Sequence, residues 1–283
     1  MMSGAQSYVA MTVDLEEWNH GLRIDMRGEP QVEADTGWLL DLFAELGVRS
    51  TFFVLSQVVR DHPGLVRRLV EAGHEVGFHG HYHDFLVNVG PERFQESLRE
   101  WVPRLEDLVQ RPIEGFRAPF FSIGPKSAWA LPMLEEAGFR YDASIYPGPN
   151  DRYGWPDAPK QPTRLAGSEL VLFPVPMLHG SLPIAFSGGA YLRMLPLWAV
   201  RWGLKRQFAR GQSGMIYVHP WEVAETLPRP KDAHWRASLT RYPGRRFMRP
   251  RLRRLLSAER QRVRPMGEIV KSLDTIPEWQ PLH

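Results

Sequence analysis

The chain of 283 residues contains no cysteine. Disulfides and thiolate metal sites are therefore excluded, and any metal must be held by histidine and carboxylate. That donor set suits zinc or a related divalent ion in a catalytic setting. No segment approaches the ~18 consecutive apolar residues that a membrane-spanning helix needs. Residues 1–10 lack a basic start followed by a long apolar core, so no secretory signal is expected and a cytoplasmic location is the default expectation. Internal repeats and low-complexity tracts are also missing. What remains is ordinary for a globular protein: 43% hydrophobic and 24% charged residues, enough to bury a large core.

The net charge of +3 is unevenly spread. Residues 225–283 hold 14 Lys or Arg against 6 Asp or Glu, a balance of +8 that leaves about −5 for the rest. An anionic partner is thus expected for the tail alone. Within it Leu252, Leu255 and Leu256 fit one face of a short basic amphipathic helix. That helix either packs on the rest of the protein with its arginines in water or meets an anionic membrane surface. Nucleic acid is not expected, since no base-reading motif accompanies the charge.

Strand and helix patterns alternate along the chain. Strands are expected at 8–13, 50–55, 75–79, 113–116, 170–174 and 215–218, and helices at 38–46, 62–72, 91–109, 126–137 and 195–210. Such alternation predicts parallel β/α units.

Three histidines, His79, His81 and His83, sit at alternate positions just after a strand pattern. His79 and His83 meet one ion if the chain turns helically after Gly80; otherwise the stretch is a polar loop of solvated imidazoles. Asp14, Arg117 and His219 also fall where strands are expected to end, which is where parallel β/α barrels keep their catalytic groups. Asp14 and Glu16 are two apart, so an extended chain points both to one side. One can then ligate a metal while the other stays free as a base.

These residues carry a resemblance. Residues 12–17 (Thr-Val-Asp-Leu-Glu-Glu), 73–83 around the three histidines, 117–120 (Arg-Ala-Pro-Phe), 141–144 (Tyr-Asp-Ala-Ser) and 217–222 (Tyr-Val-His-Pro-Trp-Glu) resemble, in order, the five motifs of the NodB-type polysaccharide deacetylases, metal-dependent carbohydrate esterases. Residues 187–196 and the His-Pro-Trp-Glu ending resemble the branch of that family associated with exopolysaccharide and surface-glycan synthesis.

The resemblance implies a distorted (β/α) barrel over residues 1–223, with 224–283 as a basic extension packed on it. It implies removal of an N-acetyl group from an amino sugar of a glycan, lipid-linked intermediate or small glycoside, with Asp14 as general base, His219 as general acid and Arg117 holding Asp14. His79 and His83 would bind the metal, expected to be zinc, with Glu16, or with Glu17 as the fallback. Phe120 would supply a backbone N–H to the oxyanion. Trp18, Tyr146 and Trp221 are the aromatics expected to meet the sugar. Two other functions stay open: opening of cyclic amides on the same fold, and glycan binding without catalysis.

Overall fold

Both faces of a parallel strand are covered, so such strands read as nearly continuous apolar runs. Val9–Leu15 is one, and in the computed structural model all seven of its residues are buried at the centre of a sheet. The structure describes residues 7–20, 30–150, 152–178, 184–228, 241–273 and 275–281.

In chain order the strands are β1 (Val9–Leu15), β2 (Thr51–Val54), β3 (Glu75–Phe78), β4 (Gly115–Phe116), β5 (Tyr141–Asp142) and β6 (Thr163–Leu165). β7 (Val171–Leu172), β8 (Met177–Leu178), β9 (Ile184–Ala185), β10 (Gly214–Val218), β11 (Val263–Arg264) and β12 (Glu278–Trp279) follow. The helices are α1 (Val32–Leu46), α2 (Ser56–Asp61), α3 (Pro63–Glu71), α4 (Leu86–Val89), α5 (Pro91–Val109) and α6 (Ala130–Glu136). α7 (Gly189–Met194), α8 (Leu197–Phe208), α9 (Met248–Glu259) and α10 (Met266–Lys271) complete them.

Among the described residues ten strands form one sheet in the order β10-β1-β2-β3-β4-β5-β7-β6-β12, with β11 also paired to β1. Within it the pairings are parallel except β6 with β7. With helices between successive strands from β1 to β5, this is a distorted (β/α) barrel. The strands register so that Asp14 lies opposite Phe53, and Val54 opposite Phe78, which brings the carboxyl ends of β1, β2 and β3 to one level. Leu39, Leu42 and Phe43 of α1 and Leu65 and Leu69 of α3 bury in one cluster with Phe52, Val54 and Val76.

The C-terminal segment does more than pack on the barrel. β11 joins β1 and β12 joins β6, so no break in the sheet marks residue 223. α9 has the expected apolar face, with Leu252, Leu255 and Leu256 fully buried. Its arginines are structural as well: Arg249 donates to the Val223 carbonyl at 2.7 Å, and Arg251 to that of Leu192 at 2.8 Å. This is the packed arrangement of the tail, with part of its charge used on main-chain carbonyls.

Candidate active site

Five polar side chains stand at the carboxyl ends of neighbouring parallel strands. Asp14 is the next-to-last residue of β1 and Glu16 the first beyond it; His79, Arg117 and His219 each directly follow β3, β4 and β10. The side chains of Asp14, Glu16, His79 and Arg117 are at most 3% exposed. Water is therefore largely excluded from charged groups, which strengthens every interaction among them.

Glu16, His79 and His83 each offer a ligand atom, and these atoms all lie within 4.8 Å of one another. The two histidines meet by bends over 81–84, not by a helical turn. Gly80 at φ +84° begins the reversal, a conformation that suits glycine. His79 Nδ1 donates to the Arg117 carbonyl at 2.7 Å, which fixes the tautomer and leaves the Nε2 lone pair to the cluster. Glu16 Oε2 touches His83 Nε2, yet it is buried and accepts no hydrogen bond among the described residues. A buried carboxylate oxygen without a donor, beside two imidazoles, is the donor set that a divalent cation completes, so the residues present fit a metal.

Burial pushes the Glu16 carboxyl up, but His83, His219 and His79 more than offset it, and it rests well below the usual carboxylate range. Glu17 stands elsewhere. Its carboxylate accepts the backbone N–H groups of Gln31 at 2.9 Å and Val32 at 3.0 Å, capping the start of α1. His81 also turns away, its Nδ1 2.6 Å from Ser56 Oγ and its ring stacked on Trp101 at 5.2 Å.

Asp14 is held from one side. Arg117 Nη1 donates to Asp14 Oδ1 at 2.6 Å and to Thr12 Oγ1 at 2.9 Å, with the guanidinium 4.2 Å over the Phe53 ring. Burial raises the Asp14 carboxyl, but Arg117, His79 and His219 together bring it below its ordinary value. The 141–144 block braces this corner: Ser144 Oγ accepts the Ala118 N–H at 2.7 Å and contacts the Asp142 carboxyl. Burial lifts that carboxyl to about 7.

His219 Nε2 faces both acids, 3.8 Å from Asp14 Oδ2 and 3.9 Å from Glu16 Oε1. Burial, with His79 and Arg241 adding to it, pushes the imidazole down to about 4 against the pull of Glu16 and Asp14. Its other nitrogen, Nδ1, lies 3.2 Å from Glu222 Oε2, which also accepts the His219 backbone N–H at 2.9 Å. Glu222 is fully buried, and its second oxygen pairs with Arg193, itself 3% exposed. Neither Glu222 nor Arg193 was expected from the sequence as part of the site. The signal lay in the two stretches noted above, Ser-Gly-Gly-Ala-Tyr-Leu-Arg and His-Pro-Trp-Glu, but nothing in spacing says that residues 29 apart form a pair.

The aromatic expectations divide. Phe120 and Phe121 are consecutive non-glycine residues in the left-handed region (φ 59° and 54°), strain of the kind kept at functional sites. The Phe120 ring packs edge-on against His83 at 4.6 Å and stacks on Phe85 at 4.5 Å, forming a wall beside the cluster. Trp18 must be corrected: at 1% exposure its ring belongs to the core and cannot stack on a sugar. Trp221 and Tyr146, 6% and 7% exposed, offer little more than edges. Trp221 Nε1 donates to Glu16 Oε1 at 3.1 Å, while its ring stacks on His219 at 4.9 Å and lies under Arg241 at 4.5 Å. It therefore orients His219 and Glu16 and has no free face for a sugar.

Residues 6–141 match the family model described as polysaccharide deacetylase, and residues 143–270 one described as a domain of unknown function (DUF3473). A chitooligosaccharide deacetylase from Rhizobium leguminosarum bv. trifolii is 43% identical over 133 residues, 40% of this chain and 61% of that protein. The chain spans less than two thirds of the length of the curated relatives it matches first. Among solved structures, a protein described as a putative polysaccharide deacetylase from Mycobacterium smegmatis superposes with TM-score 0.64 at 21% identity, covering 100% of this chain and 96% of that one. Puue allantoinase superposes with TM-score 0.63 at 15% identity, covering 96% and 92%. At these identities the two structures share the fold.

Proposed function

We propose that the chain, whose residues 6–141 match the polysaccharide deacetylase family model, hydrolyses the N-acetyl group of an amino sugar within a glycan or glycan precursor, releasing acetate. The observation that carries this reading is the meeting of Glu16, His79 and His83 beside an Arg117-held Asp14 and a Glu222-held His219. We assign Glu16, His79 and His83 as ligands of one divalent ion, zinc by the chemistry of the donor set. Such an ion, when bound, lowers the pKa of water toward ~7 and polarises a carbonyl.

The chain's own groups do the rest. Asp14 accepts the proton of the attacking water at Oδ2, the oxygen that Arg117 leaves free. The developing oxyanion is met by the Phe120 backbone N–H, a donor worth roughly 3 kcal/mol where it is preorganised. His219 Nε2, 3.8 Å from Asp14 Oδ2, is the next stop for the proton and delivers it to the departing amine, which is otherwise a poor leaving group. Glu222 on Nδ1 keeps Nε2 as the nitrogen that exchanges this proton.

The test is acetate release from N-acetylglucosamine oligomers by the parent chain and by Asp14→Asn. Turnover by the parent that falls by about 10² to 10⁴ in the variant is expected. A folded, metal-loaded parent that releases no acetate from any N-acetylated sugar but opens a cyclic amide, or merely binds glycan, would replace this function with one of the two alternatives.

A further inference from the structure

The longest stretch without an acidic residue runs between Glu169 and Glu222. It contains α7 and α8, and these helices expose most of the large apolar side chains found on the described surface. Trp198 is 72% exposed, Met194 61%, Trp202 45% and Tyr191 37%. A single exposed aromatic needs no explanation, but an apolar row of this kind marks an interaction site.

α8 is two-sided. Val200, Gly203, Leu204 and Gln207 are buried. Trp198, Arg201, Trp202 and Lys205 recur at i, i+3, i+4 and i+7 on the opposite face, and all are exposed, as are Arg206 and Arg210. The Arg206 guanidinium lies 4.8 Å over the Trp202 ring, so basic and aromatic groups alternate in space as well as in sequence. The row runs to the edge of the site: the N-terminal flank of α7, Gly188, bridges to Tyr217 of β10, two residues before His219.

We propose that the exposed face of α7 and α8 is a docking surface for an anionic lipid membrane. Tryptophan beside lysine and arginine is the composition that rests at the headgroup level, where indole rings enter the interface and the cations meet lipid phosphates. The interior of a protein–protein interface is instead depleted of charge. A second copy of this chain docking face to face would bring these cations against one another, with no carboxylate in the stretch to neutralise them. No helix among the described residues is long and apolar enough to cross a membrane, so the contact is peripheral. The surface differs from the tail, where a membrane contact was also expected and where Arg249 and Arg251 bond main-chain carbonyls.

Co-sedimentation of the full chain with phosphatidylglycerol/phosphatidylcholine vesicles, and with phosphatidylcholine alone, tests this independently of enzymatic activity. Binding to the anionic vesicles that weakens in high salt is expected, since exposed charges are screened. A Trp198→Ser, Trp202→Ser variant should lose on the order of ten-fold or more of that binding. An Arg201→Gln, Lys205→Gln, Arg206→Gln variant should lose about five-fold for each charge removed. The charge variant changes only exposed side chains and carries the test should the tryptophan variant fail to fold. The proposal is overturned by equal binding to neutral vesicles, by charge-variant binding equal to the parent's, or by a dimer in light scattering that the tryptophan variant abolishes while vesicle binding is absent.

Discussion

Replacing Glu222 by glutamine changes one atom and tests how His219 is held. In the parent, Glu222 Oε2 lies 3.2 Å from Nδ1 and 2.9 Å from the backbone N of His219, while its other oxygen pairs with buried Arg193. Removing one partner of a buried ion pair costs about 3–5 kcal/mol, and a glutamine oxygen can still accept from Arg193, so a loss near ~3 kcal/mol is expected. The catalytic effect should be larger than this stability loss suggests. An amide NH₂ turned toward Nδ1 donates to it and favours the tautomer with hydrogen on Nε2, the nitrogen that must take up a proton. In a serine-protease triad the equivalent carboxylate-to-amide change lowers turnover by about 10⁴, and a loss of about 10² to 10⁴ is expected here. Acetate release gives kcat and KM, thermal melting gives the stability, and elemental analysis gives the metal, which should stay because Glu222 touches none of the three ligands. Unchanged kcat in a folded variant would refute the reasoning.

Arg117→Met should leave Asp14 as an uncompensated buried charge, costing about 3–5 kcal/mol in chemical denaturation together with most acetate release; a variant as stable as the parent would contradict the pairing. Leu255→Ala, at a fully buried position of α9, should cost about 2–5 kcal/mol, and a negligible change would show that the tail does not pack as described. His74 is buried between Phe43 and Phe52, accepts the Ser50 N–H at 3.1 Å, and is pushed by burial, with Arg49 adding, down to about 4. The unfolded chain takes up this proton near pH 6.5 and the folded chain only near 4. His74 should therefore contribute stability above pH 6.5 that falls by about 3 kcal/mol as pH drops to 4. Urea titrations of parent and His74→Asn across that range should differ in slope, and identical slopes would remove His74 as the cause.

The parts of the fold visible in the sequence were those with enough residues to show a period. α5 spans Pro91–Val109 as its pattern predicts, and β1, β2 and β10 fall within a residue or two of expectation. β4, β5, β7, β8, β9, β11 and β12 have two residues each, too few to alternate, and their pairing is decided by their neighbours in the sheet. The helix expected at 38–46 begins earlier, at Val32, because Glu17, 15 residues upstream, supplies its N-terminal acceptors. The same bond draws Glu17 away from Glu16, the carboxylate that the two-residue spacing from Asp14 favours. That Asp14, Glu16, His79, Arg117 and His219 come together was legible because each sits at or just past a strand end, and His83 because it falls in the same block four residues after His79. Trp18 misled because an aromatic beside a motif looks alike in sequence whether it faces the site or the core.

One divalent ion at Glu16, His79 and His83 is proposed to support deacetylation by this chain. Metal content and acetate release measured on the same sample, before and after chelation, address it most directly. One ion per chain, loss of ion and acetate release together, recovery of both with zinc, and absence of both in His79→Ala are the predicted results. Full acetate release from metal-free protein, or stoichiometric metal retained by His79→Ala, would contradict the account.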